Sequence, residues 1–291
     1  MSRKGYAVSH AAITVVNALA TGLGAALGVD LKLEAKAELT DEPGIVKADV
    51  IEGERLVRAA ALEVLKAYGV NGRYGVLVTT RSEIPIARGL KSSSAASNAV
   101  VLAVARALGY EPPPRKVLEI AVKASIEAGV SVTGALDDAA ASLLGGLVVT
   151  DNYKQEIVRV YDVQERVKAV LLIPPSKRYT SPREAELLKV YSDLLKLAWL
   201  RALSGEWREA MNLNGLVVAS ALGYQVQLLV EGLRRGALAA SPSGKGPALA
   251  AVVPEDKLEE VVEVWSRAEG DVKVVEVLRN EGKDMASERR A

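Results

Sequence analysis

Residues 85–97 read Pro-Ile-Ala-Arg-Gly-Leu-Lys-Ser-Ser-Ser-Ala-Ala-Ser, so hydroxyls, small residues and a lysine crowd ahead of an apolar-periodic run. Ala95, Ala96, Ala99, Val100, Ala103, Val104, Ala107 and Leu108 recur at the spacing of one helical face. Gly109 and the prolines at 112–114 stop that helix. A helix N-terminus exposes N–H groups that have no intrahelical acceptor, and the helix dipole adds positive potential there, so phosphate binds such ends. Lys91 adds charge, and Ser92, Ser93 and Ser94 offer hydroxyls to phosphate oxygens or a metal ion. A small-residue cap that only packs closely is the plainer alternative, although three consecutive serines exceed what one cap needs.

Phosphoryl transfer also asks for a group that orients or deprotonates the attacking hydroxyl. Glu127 closes a predicted helix ahead of Gly129, and Asp137 and Asp138 open a short one after Gly134. Carboxylates at a helix N-terminus also serve as simple dipole partners, and Glu127 reads equally as a solvated helix-end charge. Ser241-Pro242-Ser243-Gly244-Lys245-Gly246-Pro247 is either an anion nest with a lysine beside it or a plain turn between helix and strand. The ordinary P-loop is missing: Gly246 follows Gly244-Lys245 where Ser or Thr belongs, and Ala239 holds the first glycine position. Gly22, Gly24 and Gly28 miss the dinucleotide-binding spacing by one residue.

Pro85-x-x-x-Gly89-Leu90-x-Ser92-Ser93 resembles the second signature of the GHMP kinases, which phosphorylate small alcohols and acids with ATP. Lys91 and Ser94 stand where that signature usually carries Gly and Ala. With Asn98 and the stretch from Ala12 to Ala18, the chain most resembles the archaeal-type shikimate kinases, from about Ser9 to near Val277. The resemblance implies an α+β, two-domain GHMP kinase fold. Its N-terminal half is like ribosomal protein S5 domain 2, its C-terminal half is ferredoxin-like, and the active site lies between them. It implies ATP at Pro85, Arg88, Gly89, Leu90, Lys91, Ser92, Ser93, Ser94 and Ala95, and at Ser243, Gly244 and Gly246 of the third signature. It implies Mg²⁺ held by Ser93 and Glu127, and shikimate as the acceptor. Laid on this sequence without gaps, the family's base falls on Asp138 and its Gly pair on Gly145-Gly146, while Asp137 fits only with a one-residue insertion. Lys245 would add charge in the transition state. Ala12 stands where other members carry a basic residue and cannot supply that charge. Arg88, Arg178 and Lys177 are candidate partners for the shikimate carboxylate. Homoserine or mevalonate as acceptor, or nucleotide binding without catalysis, are the alternatives.

The rest of the chain must position these groups. It has 291 residues, a net charge of +1 and 4% aromatics with no Phe, which disfavours nucleic acid as a partner. Zero Cys removes thiolate chemistry and Cys-based zinc sites, and His10 is the single histidine. Ser2-Arg3-Lys4 and the apolar stretch to Leu27 imitate a signal peptide, but Ser9, His10, Thr14 and Asn17 interrupt it. No other stretch approaches the ~20 apolar residues of a membrane span, so a cytoplasmic protein is expected.

Strands are expected over Ala12–Ala18, Leu31–Leu39 and Val76–Thr79, and helices over Ile51–Tyr68 and Arg115–Ala128. Leu147–Thr150 and Ile157–Tyr161 read as a hairpin. A second α+β layer follows: strand Val167–Ile173, helices Pro182–Leu203, Glu206–Leu222 and Gln225–Arg235, strand Ala248–Val253, helix Lys257–Ala268 and strand Val272–Leu278. The boundary is placed near residue 164, giving halves 1–164 and 165–291, with a charged tail Glu281–Ala291 expected to fray.

Overall fold

The structure, a computed structural model, describes residues 3–131, 133–178 and 182–280; the tail Glu281–Ala291 lies outside the described residues. Two long strands, β1 (Lys4–Val16) and β2 (Leu23–Thr40), pair antiparallel and organise the N-terminal half. The other edge of β2 is shared by β4 (Gly75–Ser82) and β5 (Leu147–Asp151). Parallel to β4 lies β3 (Val46–Asp49), and β6 (Glu156–Tyr161) closes the far side against β5.

Four helices belong to this half: α1 (Glu54–Ala67), α2 (Ser92–Ala107), α3 (Pro114–Glu127) and α4 (Leu136–Leu144). Helix α2 is buried nearly all round, because it packs on β1 and β2 while α1, α3 and α4 cover its other sides. Gly5 lets β1 touch it: a Cβ there would sit 2.0 Å from the Ala103 carbonyl oxygen. The N-terminal end of α2 is thus mounted on a helix that is buried in the core of the half.

The C-terminal half runs β7 (Val167–Ile173), α5 (Pro182–Lys189), α6 (Ser192–Leu203), α7 (Trp207–Leu222), α8 (Val226–Arg234), β8 (Ala239–Pro242), β9 (Leu249–Pro254), α9 (Leu258–Trp265) and β10 (Asp271–Glu276). The sheet order is β10-β7-β9-β8, antiparallel throughout, which is the ferredoxin-like arrangement. One core cluster runs from Ile13 on β1 through α2 to Met211 on α7 and Ala250 on β9, so the halves share apolar packing. Among the described residues no helix is long and apolar enough to cross a membrane.

Several elements differ from the sequence expectation. β1 starts at Lys4, and β2 runs straight through Gly24 and Gly28. Those glycines admit neighbours: a Cβ on Gly28 would lie 2.8 Å from the Ala141 carbonyl oxygen. The expected helix Pro182–Leu203 breaks between α5 and α6, where the Ser192 hydroxyl donates to the Lys189 carbonyl at 2.7 Å and takes a helical acceptor. β3 and β8 were not expected; each is only four residues long.

Candidate functional site

Helix α2 starts at Ser92 with Lys91 as its N-cap in the left-handed conformation, φ 64°, and no side chain caps the first turn. Ala87 (φ 56°) and Gly89 (φ 85°) make the preceding bends. A left-handed backbone costs a non-glycine residue roughly 1–2 kcal/mol, so Lys91 is strained where glycine would be relaxed. Ser93 is exposed on the first turn, whereas Ser94 is buried. The turn therefore faces outward with its N–H donors open to a ligand.

The Ser241–Pro247 loop closes on this turn from the other half. Gly89 is required here, since a Cβ would stand 2.0 Å from the Ser243 carbonyl oxygen. The Ser243 hydroxyl donates to the Gly89 carbonyl at 2.7 Å, and the Ala248 N–H to the Arg88 carbonyl at 3.1 Å. Thr14 and Asn17 fasten the loop to β1: the Gly244 N–H donates to Thr14 Oγ1 at 2.7 Å, and Asn17 Nδ2 to the Gly244 carbonyl at 2.8 Å. Buried Asn214 of α7 accepts the Asn17 N–H at 2.8 Å and donates to Ser241 Oγ at 2.9 Å. The sequence reading gave Thr14 and Asn17 no task; their signal was polarity inside an apolar strand.

The two aspartates of α4 have different surroundings. Neither caps the helix, whose N-cap is Ala135 with φ 50° and no side-chain hydrogen bond. Asp138 turns toward α2, its Oδ1 2.9 Å from Lys91 Nζ, and both side chains are largely covered, 17% and 9% exposed. The pair is a charge contact, and the buried Oδ1 has no aligned hydrogen-bond donor. Asp137 turns into the protein. It accepts from Asn152 Nδ2 at 2.8 Å, and Asn152 is itself held by the Thr150 hydroxyl at 2.7 Å. Gly24 makes room, since a Cβ there would lie 2.5 Å from Asp137 Oδ2. Burial above all, and then the charge of Asp138, push the Asp137 carboxyl up to about 7.

Lys245 lies within electrostatic reach of Lys91, Glu184, Asp138 and Arg178, and burial first, then Lys91, push its ammonium down to about 8. Arg178 donates from Nε to Glu184 at 3.3 Å and from Nη1 to the Tyr224 hydroxyl. Lys177 pairs with Glu52, and Arg88 donates to the Pro175 carbonyl. These two tie the 174–178 strap to the N-terminal half. Glu127 is exposed at the last residue of α3, and its charge is felt at Lys66 of α1.

Ser93 and Glu127 offer oxygen, the ligand type that Mg²⁺ takes, and among the described residues no cluster of three metal-binding side chains is found. The uncapped α2 terminus and the close-packed Gly89 fit phosphate.

Residues 55–146 match the GHMP kinases N terminal domain, and residues 200–271 match the GHMP kinases C terminal family. A shikimate kinase of Methanosarcina acetivorans is 39% identical over 96% of this chain and 95% of its own length. One from Methanothrix thermoacetophila is 42% identical over 92% of each chain. The chain belongs to the GHMP kinases, in their shikimate kinase branch. As a GHMP kinase it is an ATP-dependent enzyme. A solved homoserine kinase from Cytophaga hutchinsonii has the same fold, with TM-score 0.79 at 19% identity over 96% of both chains.

Proposed function

We propose that this GHMP kinase transfers the γ-phosphate of ATP to the 3-hydroxyl of shikimate. The archaeal relatives carry that activity in their names and match nearly the whole chain. The observation that carries the chemistry is Asp138, an anion 2.9 Å from Lys91 at the mouth of α2 whose side chain stays 17% exposed. An acceptor hydroxyl would meet the exposed part of that carboxylate. Asp138 orients the hydroxyl and takes its proton as the new O–P bond forms and ADP leaves. Lys91 pairs with Asp138 at the start of α2 and supplies the charge that Ala12, buried in β1, cannot. The first-turn N–H groups of α2 hold the phosphate oxygens beneath the Gly244 loop. Ser93 and Glu127 would hold Mg²⁺, which when bound neutralises charge on the phosphates. Asp137 supports Asp138 from behind and does not meet the acceptor.

A coupled ADP-release assay with Mg²⁺-ATP tests the reading across shikimate, homoserine and mevalonate. Shikimate should be turned over far faster than the other two. Faster turnover of homoserine would overturn the acceptor assignment and leave the kinase standing.

A further inference from the structure

The Ser241–Pro247 loop forms a roof over the Lys91–Asp138 pair. Lys91 Nζ is 2.9 Å from Asp138 Oδ1 and would stand 3.2 Å from a Cβ placed on Gly244. The ammonium therefore lies against the Gly244 backbone, and the place of that backbone limits where Lys91 can sit. Asn214 holds Ser241 of the roof, the Gly89 carbonyl holds Ser243, and Thr14 and Asn17 hold Gly244. On the far side of Gly244 the Tyr224 hydroxyl donates to the Lys245 carbonyl. Gly246 leaves room for it, since a Cβ there would lie 2.5 Å from the hydroxyl oxygen.

Tyr224 is fixed at both ends. Its backbone follows Gly223, which ends α7 in the left-handed conformation at φ 75°, and its N–H donates to the Ala219 carbonyl at 2.8 Å. Its ring lies under the Arg178 guanidinium, 5.2 Å from the centroid, and its oxygen accepts from Arg178 Nη1. Arginine carries donors only, and a phenol has a single proton. With Arg178 donating to the oxygen, that proton is directed to the Lys245 carbonyl. Arg178 is held in turn by Glu184 at 3.3 Å and by the Ala87 carbonyl, which accepts its backbone N–H at 2.9 Å. A chain of contacts thus runs from Ala87, ahead of the α2 turn, through Arg178 and Tyr224 to the backbone over Lys91.

We propose that Tyr224 is a positioning residue for phosphoryl transfer: its hydroxyl holds the Gly244 roof over Lys91 and so sets Lys91 against Asp138. The proposal rests on the kinase reading above, in which that pair acts at the transferred phosphate. Tyr224 acts through the loop and not on the substrate.

The test is a double-mutant cycle on kcat. Tyr224→Phe keeps the ring under Arg178 and removes the hydroxyl. Rates are taken per ATP-binding site, so that unfolded protein is not counted. The single change should lower kcat about 5–30-fold, the range for lost neutral and charge-assisted hydrogen bonds, with KM for ATP little changed. In a Lys91→Met background the same change should cost less than about twofold, because the group that Tyr224 positions is gone. A merely structural role would multiply the two losses. Losses that multiply, or a wild-type kcat in Tyr224→Phe, would overturn the positioning role and leave the kinase reading standing. A wild-type kcat in Lys91→Met would overturn the part of Lys91 in that reading, and the positioning role with it.

Discussion

Helices α2 and α4 both begin on a left-handed residue other than glycine, Lys91 at φ 64° and Ala135 at φ 50°, and neither has a side-chain cap. Beyond that they differ. The first turn of α2 carries hydroxyls behind a lysine, so every group there suits an anion. The first turn of α4 carries Asp137 and Asp138, which consume its positive potential and leave a carboxylate. The Lys91–Asp138 pair joins the two ends; on the proposed reading one terminus would hold phosphate and the other receive the acceptor's proton. The same helix-end physics gives opposite chemistry because the side chains of the first turn differ.

The hardest blow to this division of labour is Asp138→Asn, which keeps shape and removes charge. The rate constant kcat should fall about 10²–10⁴-fold, the usual worth of a general base, while KM for ATP changes little. Steady-state kinetics on both aspartate variants decide it. A dead Asp137→Asn beside an active Asp138→Asn would give the chemistry to the buried carboxylate and reverse the assignment.

Lys91 separates charge from strain. Lys91→Met and Lys91→Gly should both lose activity by roughly 10–100-fold, since each removes a charge-assisted contact. Their stabilities should diverge. Glycine relaxes the left-handed N-cap, so the Gly variant should be about 1 kcal/mol more stable than the Met variant in denaturant titrations. Equal stabilities would mean that the N-cap stores no strain.

Asp137 sharpens the comparison through pH. Its folded value near 7 lies above the ordinary 3.8, so the folded protein keeps a proton that the unfolded chain loses between those values. Stability contributed by the protonated carboxyl is therefore lost as pH rises through that window. Asp137→Asn removes the dependence and should gain about 2–3 kcal/mol more, relative to wild type, at pH 8 than at pH 5. Activity should stay near normal. Thermal melts at the two pH values check the sign, and a gain confined to pH 5 would contradict it.

How much of this was legible depends on how far apart the partners lie in sequence. The α2 loop is local: Gly89, Lys91 and three serines sit together, and their composition announces a phosphate end. The family resemblance puts the base on Asp138 rather than Asp137 by gapless spacing to Gly145-Gly146, and the structure sets Asp138 beside Lys91. The supports could not be read. Thr14 and Asn17 acquire meaning only when Gly244, from the far end of the chain, folds onto them. The burial of Asp137 depends on Asn152 and on the absent side chain of Gly24. Tyr224 and Glu184 looked like ordinary helix-end residues until Arg178 reached both. At fold level the failures were short strands and one helix break, features set by tertiary pairing and a single serine hydroxyl.

The smallest expected effect concerns the C-terminal half's contribution, Lys245. Its folded value of about 8 lies below the ordinary 10.5, with Lys91, Arg178, Asp138 and Glu184 as the charged groups that face it. On the proposed reading the protonated form is the one that adds positive charge in the transition state. Raising pH through 8 therefore removes the useful form, and kcat/KM for shikimate should fall about fourfold between pH 7 and pH 8.5, because that ratio reports the free enzyme's titration. Stability moves the other way: the folded protein sheds this proton more readily than the unfolded chain, so the burial penalty on Lys245 eases as pH rises from about 8 toward 10.5. In Lys245→Arg the charge persists over the whole range, and the alkaline limb should flatten. A limb that survives unchanged in Lys245→Arg would belong to another group, and Lys245 would lose its proposed role in the transition state.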